Sequence, residues 1–238
     1  MKAMILAAGL GTRLQPFTLH HPKALAIVNN KTLLQRNIEY LQQYGIRDVV
    51  VNVHHFGQQI IDIINANNGW GSAITISDET DVVLETGGGL LKAAPLLADA
   101  DPFVLMNVDI LTDLPLSDMM AFHTAKQPLA TLATTGRQTS RYFLFNEVDV
   151  LCGWRNIKTG EEKISKKATI YQQKAFSGIH IISNRIFNLI NRQGKFSIVD
   201  VYLELAKANP ICGFDHSNSQ FIDVGKPESL ENASLIFK

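Results

Sequence analysis

The first 107 residues alternate short apolar runs with amphipathic segments, and this alternation limits the possible folds more than any other property of the chain. Residues 2–8, 48–53 (DVVVNV), 73–77 and 103–107 (FVLMN) read as buried strands. Between them, residues 32–44 carry apolar side chains at helical spacing and stop at Gly45, while 57–65 and 88–97 read as further helices. Strands that alternate with helices build a largely parallel sheet covered on both faces, and ligands of such sheets bind beyond the carboxyl ends of the strands. The expected architecture is therefore a Rossmann-like, three-layer α/β/α fold with a mixed, mostly parallel sheet.

The second half changes texture. Residues 129–135 read as a strand, 142–154 as a hairpin around Asn146-Glu147, and 157–171 as polar, lysine-rich loops and antiparallel strands. A strand at 175–182 and helices at 197–208 and 228–237 follow. No repeat, low-complexity tract or linker divides the chain. One domain over 1–238 with a small antiparallel, substrate-facing insertion over about 136–175 is the expected organisation.

Composition narrows the function classes. With 46% hydrophobic and 18% charged residues, 238 residues suffice for a large buried core. Lys plus Arg and Asp plus Glu both total 22, so no net field attracts nucleic acid or an anionic membrane, and any anion site must be local. The two cysteines, Cys152 and Cys212, are too few for a secreted disulfide framework and are expected as reduced thiols. The opening apolar run is too short for a signal sequence, and no stretch approaches the ~20 residues of a membrane span. A cytoplasmic location is expected; monomer and homodimer both remain open.

The chemistry begins at LAAGLGTRLQPFT, directly after the first strand. The dinucleotide fingerprint GxGxxG fails there at its third glycine, where Leu14 stands, and the GxxxxGK phosphate loop is absent. Instead, Gly9 and Gly11 let backbone amides approach phosphate oxygens, and Arg13 adds a planar fork of donors. Lys23, behind Pro22, supplies a second positive charge. The alternative is a plain strand-to-helix turn with a solvated arginine. Asp109 closes NVD after a buried strand, and Asp223 follows a short apolar run in FIDVG. Carboxylates at two strand ends suit a hard cation shared with phosphate oxygens, although an isolated aspartate is more often a cap or turn residue. The glycine-rich turn from Glu85 to Gly89 opens a helix with free amides, or else is a flexible surface loop.

Taken together, LAAGLGTRLQPFT, PKAL, ETGGGL, NVD and IDVGKPESL resemble the sugar-1-phosphate nucleotidylyltransferases, also called nucleoside diphosphate sugar pyrophosphorylases, in order and separation. Within them, ETGGGL and the short length are most similar to the N-acetylmuramate-1-phosphate uridylyltransferases of bacterial cell-wall recycling. The resemblance implies a GT-A-type fold whose Gly9 turn holds a nucleoside triphosphate, with Gly11, Thr12 and Arg13 on its phosphates and Lys23 nearby. It implies that Leu6, Ala8, Gly87 and Gly88 border base and ribose. Asn107, Glu85, Ser177 and Gly178 would border the sugar, and Asp109 and Asp223 would bind Mg2+. Val108 departs from the family's usual glycine, and Phe221 from its frequent tryptophan; neither change removes a charge. Many relatives carry a left-handed β-helix after the catalytic domain; this chain stops soon after its last helix, so acetyl transfer is not expected.

The implied reaction is transfer of a nucleoside monophosphate, UTP being the expected donor, to a sugar-1-phosphate, with Arg13 and Lys23 as the catalytic cations. Competing readings are a phosphocholine-type cytidylyltransferase, a non-catalytic nucleotide-sugar-binding regulator, and a nicotinamide dehydrogenase, which Leu14 disfavours. Arg141, Tyr142 and Trp154 are open candidates for ligand contacts, with solvation or packing as the alternatives. His54 and His55, adjacent at a strand end, point to opposite sides and so do not form a joint metal site.

Overall fold

The computed structural model describes all 238 residues. Its strands are β1 (Lys2–Leu6), β2 (Ile27–Val28), β3 (Lys31–Thr32), β4 (Asp48–Val53), β5 (Ala73–Asp78), β6 (Phe103–Asn107), β7 (Ile110–Thr112), β8 (Ala130–Thr135), β9 (Arg141–Phe145), β10 (Leu151–Asn156), β11 (Glu161–Ile164), β12 (Gln172–Ile182), β13 (Ile211–Asp215) and β14 (Phe221–Asp223). The helices are α1 (Leu33–Gln43), α2 (Gly57–Ala66), α3 (Glu85–Lys92), α4 (Ala94–Leu97), α5 (Leu116–Lys126), α6 (Ile198–Leu205) and α7 (Pro227–Ile236).

The central sheet runs β11-β10-β9-β12-β6-β1-β4-β5, with β8 and β13 continuing from β12. Strands β5, β4, β1 and β6 lie parallel, as short strand-helix units require, whereas β12 enters antiparallel to β6. The mixed, Rossmann-like α/β fold read from the sequence is the fold observed. Strands β9, β10 and β11 and the first residues of β12 pair antiparallel, and the hairpin around Asn146 forms as read.

Both faces of the central strands β1, β4 and β6 are covered, which explains why these strands are apolar at nearly every position. Ala3, Ile5, Val49 and Val51 pack under α1, α2 and α5 through Leu34, Ile38, Ile60 and Met119. Met4, Val50 and Leu105 point the other way, against Leu90, Leu97, Val201 and Tyr202. Each such side chain contributes about 1.5–3 kcal/mol on burial. A third cluster joins Leu14, Val28 and Leu33 to Val224 and Ala233, so α7 folds back over the amino-terminal turn.

Local signals set the boundaries. The Thr32 side chain accepts from the Gln35 amide at 3.1 Å and starts α1; Gly45, at φ 73°, follows its end. Several elements differ from the reading: β1 ends at Leu6 and α6 at Leu205, α5 and β13 have no counterpart in it, and α3 begins at Glu85, so the glycine triplet lies inside a helix and Pro95 opens a separate α4. Cys152 and Cys212 are buried and free. No helix is long and apolar enough to cross a membrane.

Candidate active site

The site forms where β1, β6 and β14 end. Beyond β1, Gly11 takes φ 62°, a left-handed conformation that glycine adopts without strain. Its carbonyl accepts from the Thr18 hydroxyl at 3.0 Å and from the Leu14 amide at 2.8 Å. A side chain at Gly11 would collide with Thr18 Cγ2 at 2.9 Å and meet Lys23 Cβ at 3.1 Å. Gly9 is the opposite case: nothing lies within 4 Å of where its Cβ would be. The turn is thus locked behind Gly11 and open in front of Gly9, as a ligand cradle requires.

Strand pairing brings the distant charges together. Asp109 follows β6, and β7, starting one residue later, pairs with β14 so that Asp223 stands opposite Ile110. The Val224 amide then donates to the Asp109 carbonyl at 2.8 Å. Lys23, only 8% exposed, is ion-paired with the Asp109 carboxylate. Gly225 lies between Asp223 and Arg13: a Cβ there would meet Asp223 Oδ1 at 2.7 Å and Arg13 Nη2 at 3.0 Å. One cleft is lined by Leu6, Gly9, Gly11, Thr12, Arg13, Lys23, Asn107, Asp109 and Gly225, together with Ala7, Thr86 and Val108.

The electrostatics are uneven. Burial pushes the Asp223 carboxyl above its usual range and the neighbouring Asp109 charge adds to this, while Lys23, Arg13 and Arg137 oppose it. Asp223 Oδ1 is buried with no hydrogen-bond partner. An orphaned carboxylate oxygen beside a second carboxylate fits a hard divalent cation with oxygen ligands. Two aspartates do not complete a coordination shell, and no cluster of three or more potential ligands exists in the chain. The remaining positions therefore suit phosphate oxygens and water.

A second cavity adjoins the first and shares Leu6, Gly9, Gly11, Thr12 and Thr86 with it. Ala8 and Glu85 line it, as do Asn52, Glu79, Lys195 and Ser197, which the sequence reading did not single out. Asn52 Oδ1 accepts from the Ala7 amide at 2.7 Å, and its Nδ2 donates to Glu79 at 2.7 Å. A buried polar pair therefore fixes the backbone where the Gly9 turn begins.

Four expectations need correction. The Gly87 and Gly88 amides are not free: both donate to the Phe196 carbonyl, at 2.9 and 3.2 Å. Both glycines are buried because Cβ atoms there would lie 2.5 Å from the Phe196 ring and 2.3 Å from the Gly194 carbonyl, so the triplet serves helix packing. Ser177 is 1% exposed and bonded to His216 Nε2 at 2.7 Å, so its hydroxyl does not face the cleft. Gly178, at φ 74°, sits behind Asn107, where a Cβ would come within 2.7 Å of Asn107 Nδ2. It shapes the floor and does not line the cleft. Arg141 is exposed at the start of β9; the second arginine acting on Asp223, besides Arg13, is Arg137, which no motif marked. His54 bonds the Glu79 carbonyl at 2.7 Å and His55 packs on Phe56, so they part as expected.

Comparison with known proteins bears on the family and the fold. The family model described as "Nucleotidyl transferase" matches residues 2–237. Mannose-1-phosphate guanyltransferase of Yarrowia lipolytica is 28% identical over 240 residues, covering 100% of this chain and 64% of that protein. The catalytic subunit beta of mannose-1-phosphate guanylyltransferase from Dictyostelium discoideum is 38% identical over 136 residues, 57% of this chain and 38% of that protein. The chain thus spans less than two thirds of these relatives' length. Among solved structures, HddC from Yersinia pseudotuberculosis superposes with a TM-score of 0.78 at 22% identity, covering 100% of this chain and 99% of that one. A putative glucose-1-phosphate thymidylyltransferase from Bacillus anthracis gives 0.83 at 17% identity, covering 99% and 94%. The structural likenesses establish the fold, and the match along almost the entire sequence establishes the lineage: the chain belongs to the nucleotidyl transferase family.

Proposed function

We propose that the protein transfers a nucleoside monophosphate from a nucleoside triphosphate to a sugar-1-phosphate, releasing pyrophosphate. The observation that supports this reading is that Arg13, Lys23 and Asp109 line one cleft and that Asp223 lies behind its wall, across Gly225 from Arg13, although the four are far apart in sequence.

The triphosphate lies on the Gly9–Gly11 turn, where missing side chains let the backbone approach and Arg13 faces the phosphate charge. Asn107, backed by Gly178, meets the acceptor. An oxygen of the sugar phosphate attacks the α-phosphorus in line; that P–O bond forms as the bond to the bridging oxygen of pyrophosphate breaks, and no covalent enzyme intermediate is needed. Asp109 and Asp223 would hold Mg2+, which when bound neutralises phosphate oxygens. Lys23 holds Asp109 in place and adds positive charge under the cleft. Both reactants are anions, so alignment and charge neutralisation supply most of the catalysis.

For the substrates, the ETGGGL resemblance supports UTP and N-acetylmuramate-1-phosphate. The names of the curated relatives support a second pair, GTP and mannose-1-phosphate. A non-catalytic nucleotide-sugar sensor would have lost one of the four charged groups, and all are present. The test is Mg2+-dependent pyrophosphate release across a panel of triphosphates with sugar-1-phosphates and phosphocholine. Release with one sugar phosphate supports transfer and identifies the pair; release with phosphocholine alone, or none at all, refutes the reading.

A further inference from the structure

The chain holds four buried side-chain polar atoms without a hydrogen-bond partner: Thr135 Oγ1, Arg137 Nε, His216 Nδ1 and Asp223 Oδ1. An unmade bond of this kind costs about 1–3 kcal/mol, so native proteins rarely keep several. Three of them, Arg137, His216 and Asp223, gather around β14. The Arg137 guanidinium lies 5.0 Å from the centre of the Phe221 ring, and the His216 ring 5.8 Å from it. Phe221 and Asp223, two residues apart on one strand, share a face, which sets Arg137 and His216 beside Asp223. Thr135 ends β8, two residues before Arg137.

An irregularity in β12 holds this group together. Pairing with β8 shifts register between Phe176 and His180, and each residue at the start of the shift has a fixed task. The Phe176 carbonyl accepts from Arg137 Nη2 at 2.7 Å, the Ser177 hydroxyl bonds His216 Nε2 at 2.7 Å, and Gly178 packs behind Asn107. Arg137 is thereby anchored by one nitrogen and stacked on an aromatic ring while its Nε–H lacks an acceptor. The two arginines occupy opposite ends of β14, Arg13 at Gly225 and Arg137 at Phe221, with Asp223 between them. Arg13 belongs to the triphosphate turn and Lys23 is ion-paired with Asp109, whereas Arg137 makes no ion pair with a carboxylate.

We propose that Arg137 is an acceptor-binding residue that donates to an anionic oxygen of the sugar phosphate, with His216 as its neighbour across Phe221. The assignment rests on the transfer reading above. The alternative is a pocket of buried water that never meets substrate.

The test measures pyrophosphate release by the full chain while the acceptor is varied at saturating triphosphate, in R137M and R137K. R137M is expected to raise the acceptor KM by about tenfold or more with the triphosphate KM within about twofold, and R137K, which keeps the charge but loses the fork, to fall between. An unchanged acceptor KM in R137M overturns the proposal and leaves the transfer reading standing. If the wild type turns over no pair, the transfer reading fails, and calorimetry with inorganic phosphate decides on Arg137 alone. Binding that R137M weakens sustains the site; equal binding, or none, overturns it. Should R137M fail to fold, R137K carries both comparisons, and an R137K identical to wild type overturns the proposal.

Discussion

Replacing Gly88 by alanine sets two physical effects against each other. Within a helix the added methyl stabilises by about 1 kcal/mol, because glycine is a poor helix former. At Gly88 the same methyl lies 2.3 Å from the Gly194 carbonyl oxygen and 3.1 Å from Leu84 Cβ. Backbone cannot yield as a flexible side chain does, and overpacking of this kind costs about 1–3 kcal/mol. Displacing residues 194–196 also weakens the two amide bonds from Gly87 and Gly88 to Phe196, at about 1 kcal/mol each. The sum is a destabilisation of about 3 kcal/mol, which for a chain this long lowers Tm by about 6–12 °C. Urea unfolding and calorimetry measure it directly. Gly9→Ala is the control: its methyl meets no protein atom, so stability should change by less than about 0.5 kcal/mol, while the triphosphate KM rises by about tenfold or more. A Gly88→Ala protein that unfolds at or above the wild-type temperature would refute the packing account.

Three further outcomes follow from the charges. Arg13→Ala should lower turnover by about a hundredfold, about 3 kcal/mol of transition-state stabilisation, with Tm little changed; unaltered turnover would remove Arg13 from the chemistry. Asp223→Asn should leave the metal-free protein at least as stable, since burial and the Asp109 charge disfavour the Asp223 carboxylate, yet abolish the Tm rise produced by Mg2+ with triphosphate; a retained rise would place the cation elsewhere. Burial holds His123 and His216 near pH 4 and His180 near pH 3. Their folded values lie below the unfolded value of about 6.5, so the unfolded chain binds protons first. The stability from keeping them neutral is full above that value and is lost as pH falls toward 4, by about 1 kcal/mol per histidine at pH 5 after allowing for solvent screening. The carboxylates whose values are lowered titrate below this window. Glu79 and Asp223, whose carboxyls burial raises, gain stability over the same fall and offset part of it. The histidine rings themselves are therefore the check: NMR signals that titrate near the ordinary value of about 6.5 would contradict the buried-neutral assignment.

Periodicity made the scaffold legible. Strands β4 and β6 end where their apolar runs end, and α1 stops at Gly45, because burial on both faces and a left-handed stop are local signals. The Gly9–Arg13 turn was legible for the same reason. The glycine triplet was misread because glycine's local preference points to a loop, whereas close packing on Phe196 makes it helical; tertiary contact overrode propensity. The approach of Asp223 to Asp109 depends on pairing of β7 with β14, for which no nearby residue carries a signal. Arg137 and His216 escaped notice because an irregular strand, and no motif, sets them around Phe221. Glu79 and Asn52 did so because a buried polar pair has no sequence signature until its partner is known.

The central claim is that polyphosphate and metal are gripped at one cleft by the amino-terminal turn and two remote carboxylates. Anomalous diffraction from crystals soaked with Mn2+ and a non-hydrolysable triphosphate tests it most directly. A Mn2+ peak contacting both Asp109 and Asp223, with phosphate density on the turn at Gly9 and Arg13, is the predicted result. Metal bound away from either aspartate, or phosphates seated elsewhere than on that turn, would contradict the account.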